Sequence, residues 1–415
     1  MGSLRWLLCV AAALGAGAAH AGPEAKPRAD PAKEYAERAG KLAARKDPEG
    51  WLSLADFCED HLLLDKRLEA LRKAIAQDPD NAAAHARLDE AKSGKAWLPV
   101  DEAEAREAKE QQAKGLVFYG TQWVQPQQAE QSREEDRKAQ GWPVELRIDT
   151  PHIALYSGCP LDFSRRMAGL LENEVGAYQR LYGEVWRPDP GFKAVKVYLF
   201  PDRESYEQVA RSQAPSVPSS QLAGFYASPP QILFVAMQKV AARSMPALQH
   251  FVMATAAHEM SHALDNLMSG CSLGEPLWMQ EGRADYFGYA RMGRQVIPGA
   301  ARFAAGLNND QFLGDLERNA PASDLQGLLD MPQGVFMGTD VLTHYTLSWA
   351  FVHFLFHGEG GSHVAAFRAY LAGVTQDGSR DEFEKVVGKV EELEPGYRRY
   401  ASEEHLPRAK AQRLK

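Results

Sequence analysis

The residues with the clearest chemical potential lie in one short segment, His258-Glu259-Met260-Ser261-His262. Helix-compatible residues surround it from about Ser244 to Met268, and the stretch ends at Ser269-Gly270. Side chains four apart on a helix differ by roughly 40° around its axis, so the two imidazoles point the same way and can chelate one cation. Glu259 stands beside them, where its carboxylate reaches a water on that cation. Imidazole is among the preferred ligands of Zn²⁺, and a catalytic zinc site keeps one position open for water. The pattern therefore predicts zinc as cofactor, His258 and His262 as ligands and Glu259 as general base.

A second segment, Trp278-Met279-Gln280-Glu281-Gly282-Arg283-Ala284-Asp285-Tyr286, begins a new helix after a break at residues 270–276. Here the sequence resembles the gluzincin metallopeptidases, in which an acidic third ligand comes from a helix following the HExxH motif. The spacing between His262 and Glu281 falls within that group's usual range, so the resemblance implies Glu281 as the third metal ligand. It also implies that Asp285, one turn further on, accepts a hydrogen bond from the first ligand histidine and fixes its tautomer. Asp265 is a rival for that role, and Gln280 is expected to serve His262 in the same way. The run from Tyr345 to Leu355 resembles the Tyr, Ser and aromatic pattern that follows the metal site in several gluzincin families. Tyr345 is thus the expected donor to the oxyanion, with His344 and His353 as alternatives. His357 and His363 read as surface histidines.

The resemblance is closest to secreted bacterial proteins with a gluzincin-like peptidase domain, and it covers residues 144–406. It implies a zincin-like fold: a small twisted sheet whose edge strand borders the cleft, then the metal helix, then a helical subdomain. The edge strand is expected at residues 231–237, where a peptide substrate adds by main-chain hydrogen bonds. The aminopeptidase branch carries a Gly-x-Met-Glu-Asn segment there; this chain has Gly224-Phe225-Tyr226 nearby and no such acid, which favours an endopeptidase. The implied reaction is peptide-bond hydrolysis by zinc-activated water, with Glu259 passing the proton to the leaving amine. A second reading is a catalytically inactive zincin-fold protein that binds a protein partner through its N-terminal helices.

The elements that position these residues follow from the rest of the pattern. A chain of 415 residues exceeds one ordinary domain. Residues 31–113 are rich in Ala, Glu, Lys, Arg and Leu without strand-like alternation, and read as a small all-α region. Within it Trp51, Leu54, Ala55, Cys58, Leu71, Ala74 and Pro79 are spaced in a way that resembles a tetratricopeptide repeat, with Arg67 departing from the small residue expected there. Residues 95–99 and 121–126 are similar to each other and read as duplicated turn-helix elements. Residues 114–143, polar and charged, read as a linker. Short apolar or alternating runs at 144–149, 152–157, 194–200 and 232–237, with a helix at 161–182, then make the fold α+β.

Arg5 precedes an apolar run that ends in Ala19-His20-Ala21, the pattern of a signal peptide over residues 1–21, so the protein is expected to be exported to the periplasm or beyond. No later segment is long and apolar enough to span a membrane. The chain carries 47 Lys and Arg against 55 Asp and Glu, a net charge of −8, which argues against a nucleic-acid partner. Cleavage would leave three cysteines, of which Cys159 and Cys271 are the expected pair and Cys58 is expected to be buried in a helix.

Overall fold

The computed structural model describes residues 30–411, apart from 187–193, 216, 218–221, 229, 238–244, 270–274, 301–308 and 374–377. The signal-like residues 1–21 and Cys271 lie outside the described residues. The chain opens with helices α1 (Pro31–Ala43), α2 (Pro48–Asp60), α3 (Leu64–Gln77) and α4 (Ala82–Arg87). Asp30 and Asp47 cap the first two, each accepting from a backbone N–H in the first turn just ahead of a proline that needs no such partner. Trp51, Leu54, Ala55, Cys58, Leu71 and Ala74 form one buried cluster, as their spacing predicts. Arg67 is 2% exposed and donates to the Glu59 carboxylate and the Arg87 carbonyl, which offsets the burial of its charge.

The two similar segments are each the second strand of a hairpin that leads into a helix. Strands β1 (Glu90–Ser93) and β2 (Ala96–Pro99) precede α5 (Val100–Gln112); β3 (Val117–Tyr119) and β4 (Gln122–Val124) precede α6 (Pro126–Gln140). Each hairpin latches its tryptophan to an acid upstream: the Trp97 indole N–H donates to Asp80 and that of Trp123 to Glu107. Residues 31–113 are therefore not all helical, because strands this short leave no periodic signal. Residues 114–143, read as a linker, fold into the second hairpin and α6. Their polar composition belongs to a solvated helix face, where Arg137 pairs with Glu130 and Glu145.

A five-stranded mixed sheet follows, in the order β5-β6-β7-β9-β8. Strands β5 (Leu146–Asp149) and β6 (Ile153–Ser157) are antiparallel, and helix α7 (Leu161–Tyr182) crosses over to β7 (Val195–Phe200), parallel to β6. After α8 (Arg203–Gln213) come β8 (Gly224–Ala227) and β9 (Ile232–Ala236). Strand β9 pairs with both β7 and β8, so it is internal and β8 forms the edge at that end of the sheet. This corrects the expected edge at 231–237. Every residue of β9 is buried, the mark of a strand covered on both sides, whereas β8 is four residues long and was hidden among turn-forming glycine and prolines. Side chains alternate across the sheet: Leu155, Val197, Leu233 and Val235 face the main core with α7, while Tyr156, Tyr198, Phe200 and Phe234 pack with α8.

The remaining chain is mostly helical. Helices α9 (Met245–Leu264) and α10 (Leu277–Gly288) carry the candidate ligands, and a short hairpin of β10 (Arg291–Met292) and β11 (Gln295–Val296) follows. Helices α11 (Asn309–Asn319), α12 (Leu325–Leu329), α13 (Gln333–Phe336) and α14 (Val341–His357) come next, with shorter helices to Ala411. The architecture is mixed α and β, and no helix among the described residues is long and apolar enough to cross a membrane.

Candidate metal centre

Helix α9 is buried along most of its length by Val252, Met253, Ala256, Ala257, Met260, Ala263 and Leu264, so the HExxH turn is held from both ends by core. Helix α10 reaches it because two of its residues lack a side chain. A Cβ at Gly282 would stand 2.6 Å from the Ser348 carbonyl oxygen on α14, and one at Gly288 would stand 3.3 Å from the Ala254 carbonyl oxygen on α9. The backbone of α10 is thus wedged between α14 and α9.

The three candidate donor atoms converge. His258 Nε2 lies 3.2 Å and His262 Nε2 3.6 Å from Glu281 Oε2, and the two Nε2 atoms are 3.3 Å apart. Around a tetrahedral ion with nitrogen and oxygen ligands at about 2.0–2.1 Å, neighbouring donor atoms are separated by about 3.3–3.4 Å. The triangle of 3.2, 3.3 and 3.6 Å is close to that face of a tetrahedron. The side chains are 15%, 22% and 12% exposed, and Glu281 Oε2 is buried with no hydrogen-bond donor of its own. Among the described residues this is the group of His, Cys, Asp and Glu side chains close enough to share an ion.

Its surroundings orient the candidate ligand side chains. His258 Nδ1 lies 2.8 Å from Asp285 Oδ1, a carboxylate oxygen to which it donates, and Nε2 faces Glu281 and His262. Gln280 does not act on His262 in this way; its amide donates to the Glu275 carbonyl and folds the chain ahead of α10. Asp265 is likewise engaged elsewhere, with the Arg283 guanidinium and the Tyr178 hydroxyl. Glu259 Oε2 accepts the Tyr226 backbone N–H at 3.0 Å. Since Ala227 and Ala223 turn their carbonyls to the β9 side, the intervening Tyr226 amide lies on the free edge of β8.

Charges are unevenly supplied. Burial disfavours the imidazolium of His258, but the Asp285 and Glu281 carboxylates outweigh it and raise its pKa well above the ordinary value. His262 is raised in the same way, chiefly by Glu281 against burial. Burial disfavours the Glu281 anion, yet the two imidazoles hold its pKa far below the carboxylate range. Glu259, Glu281 and Asp285 therefore surround two imidazoles with a surplus of negative charge, and a divalent cation suits that donor set.

Tyr345 opens the first turns of α14 with its ring 6.2 Å from that of His258. Burial, and then the carboxylates of Glu281, Asp285 and Glu259, push its phenol far above its usual pKa, so the hydroxyl stays protonated and able to donate. The alternatives are engaged otherwise: His344 Nδ1 bonds to the Phe336 carbonyl, and His353 is fully buried between the Tyr400 hydroxyl and the Gly299 carbonyl. His357 and His363, expected at the surface, are half-buried, the first against the Tyr286 hydroxyl and the second against Phe354. A polar cleft of about 310 Å³ opens beside His262 and Glu281, bordered by Tyr226, Ser228 and Asn266.

Sequence reasoning missed Arg283, whose guanidinium is buried beside the site. The available signal was its place on a helix flanked by Trp278, Met279, Tyr286 and Phe287, all of them core. No protein-family model and no curated protein matches the chain.

Proposed function

We propose that the protein is a zinc-dependent metallopeptidase of the gluzincin type, an endopeptidase with a zincin-like domain behind a small tetratricopeptide-like region. The observation that carries this reading is the triangle of His258, His262 and Glu281 donor atoms, with the spacing of one face of a tetrahedral zinc site. When bound there, zinc supplies a Lewis acid that polarises a carbonyl and lowers the pKa of water.

The chain's own residues supply the rest. Asp285 holds His258 in the tautomer that leaves Nε2 free. Glu259, whose carboxylate is steadied by the Tyr226 amide, takes a proton from the attacking water and passes it to the leaving amine. Tyr345 donates its hydroxyl hydrogen to the oxyanion that develops on the substrate carbonyl. The free edge of β8 offers the main-chain groups of Gly224 and the Tyr226 carbonyl to an extended peptide, the Tyr226 N–H being held by Glu259, and no acid on that strand marks a substrate amino terminus, which favours cleavage within a chain. Export through the signal-like residues 1–21 belongs to the same reading.

Metal analysis of purified protein tests the first part: about one zinc per chain is expected. Glu259→Gln should keep that zinc and abolish cleavage of a peptide library, because the ligands remain while the base is lost. Protein without zinc, or a Glu259→Gln variant as active as its parent, refutes the reading. Zinc-loaded protein that cleaves nothing yet captures a protein partner through residues 31–113 would instead select the inactive binding module.

A further inference from the structure

Arg283 lies on α10 two residues beyond Glu281 and two before Asp285, and it is 1% exposed. Two residues along a helix turn a side chain by roughly 200°, so Arg283 leaves α10 on the side opposite the ligand. There its Nη2 pairs with Asp265, the residue directly after α9 and three beyond His262. The same nitrogen stands 3.2 Å from Glu275 Oε2, on the segment leading into α10. The guanidinium carbon sits 4.5 Å over the Trp186 ring and 5.6 Å from that of Tyr182, while the Tyr178 hydroxyl donates to Asp265. One buried cation thus joins the end of α9, the start of α10 and the aromatic wall of α7.

We propose that Arg283 is a positioning residue for the metal centre: through Asp265 and Glu275 it fixes α10 against the end of α9 and sets the spacing between Glu281 and the two histidines. This role rests on the zinc reading above. Two carboxylates share one guanidinium, and burial pushes the Glu275 carboxyl up to about 7, so the cluster is an expensive way to hold helices together. Apolar side chains of similar volume would serve adhesion as well or better. What charged groups add is a penalty for separation: if α10 slides and the pairs open, a buried cation is left uncompensated, whereas apolar contacts tolerate the shift. A metal site, whose ligand distances must hold to within about 0.2 Å, has use for that restriction.

The test uses the full chain, stripped of metal and reloaded with Co²⁺, whose visible absorption bands report coordination geometry. Two variants separate positioning from stability. Arg283→Met with Asp265→Asn and Glu275→Gln removes every charge of the cluster together. Asp265→Ala cuts the link to α9 and leaves Arg283 and Glu275 balanced one to one. The metal-free triple variant should melt near the parent temperature and Asp265→Ala, which orphans the Tyr178 hydroxyl, below it; both should bind Co²⁺ about tenfold or more weakly and with altered band intensities. Parent-like affinity and spectrum in the variants, whatever their melting temperature, overturn the role of Arg283 and leave the zinc reading standing. A parent protein that takes up neither Co²⁺ nor zinc overturns the zinc reading and this role with it. If the triple variant fails to fold, Asp265→Ala decides alone.

Discussion

Replacing Asp285 by Asn isolates one charge without changing the shape of the site. Asp285 is 7% exposed, Oδ1 accepts the His258 Nδ1–H at 2.8 Å, and Oδ2 is buried with no hydrogen-bond partner. An asparagine carbonyl can still accept from Nδ1, so the imidazole keeps its orientation, but it no longer raises the basicity of Nε2 or adds negative charge behind the ligand. Loss of such a partner lowers metal affinity by about 10–100-fold, or about 1.4–2.8 kcal/mol of binding free energy. The metal-free protein should respond in the opposite direction. Burial raises the Asp285 pKa, so the folded state disfavours its ionised form, and a neutral side chain removes that penalty at neutral pH. Competition for zinc against a chromophoric chelator measures the first effect, and calorimetric melting of the stripped protein the second. Zinc affinity within twofold of the parent's would refute the assignment of Asp285 as the orienting partner of His258.

Two further outcomes follow from the geometry. Tyr345→Phe removes the proposed oxyanion donor and should lower kcat by roughly 10²–10³-fold with little change in KM; steady-state kinetics with unchanged kcat would exclude it. Burial pushes the thiols of Cys58 and Cys159 up to about 12, so at pH 8 only about one in 10⁴ of each is thiolate. Iodoacetamide should therefore leave both unmodified in the folded protein and label both after unfolding without reductant, as peptide mapping will show; an unlabelled Cys159 in the unfolded chain would point instead to its pairing with Cys271.

What the sequence made readable was what repeats locally along a helix. His258 and His262 share a face because they are four apart, and Asp285 shares one with Glu281 for the same reason, so both pairs emerge before any tertiary contact is known. The position of β8 was not readable, because which strand ends a sheet depends on pairing between distant segments. The all-buried run of β9 looks the same whether its neighbour is another strand or a ligand. The hairpins at β1–β2 and β3–β4 were hidden for a related reason: in each a tryptophan reaches an acid earlier in the chain, a contact with no period. Arg283 is the sharpest case. Arginine is a surface residue by default, and only the arrival of Asp265, Glu275, Trp186 and Tyr182 from separate parts of the chain makes its burial tolerable. The residues of the candidate triangle could thus be named from spacing, while the side chains packed around it are a property of the folded chain, and on the proposed reading variants of the second kind should disturb its geometry before its composition.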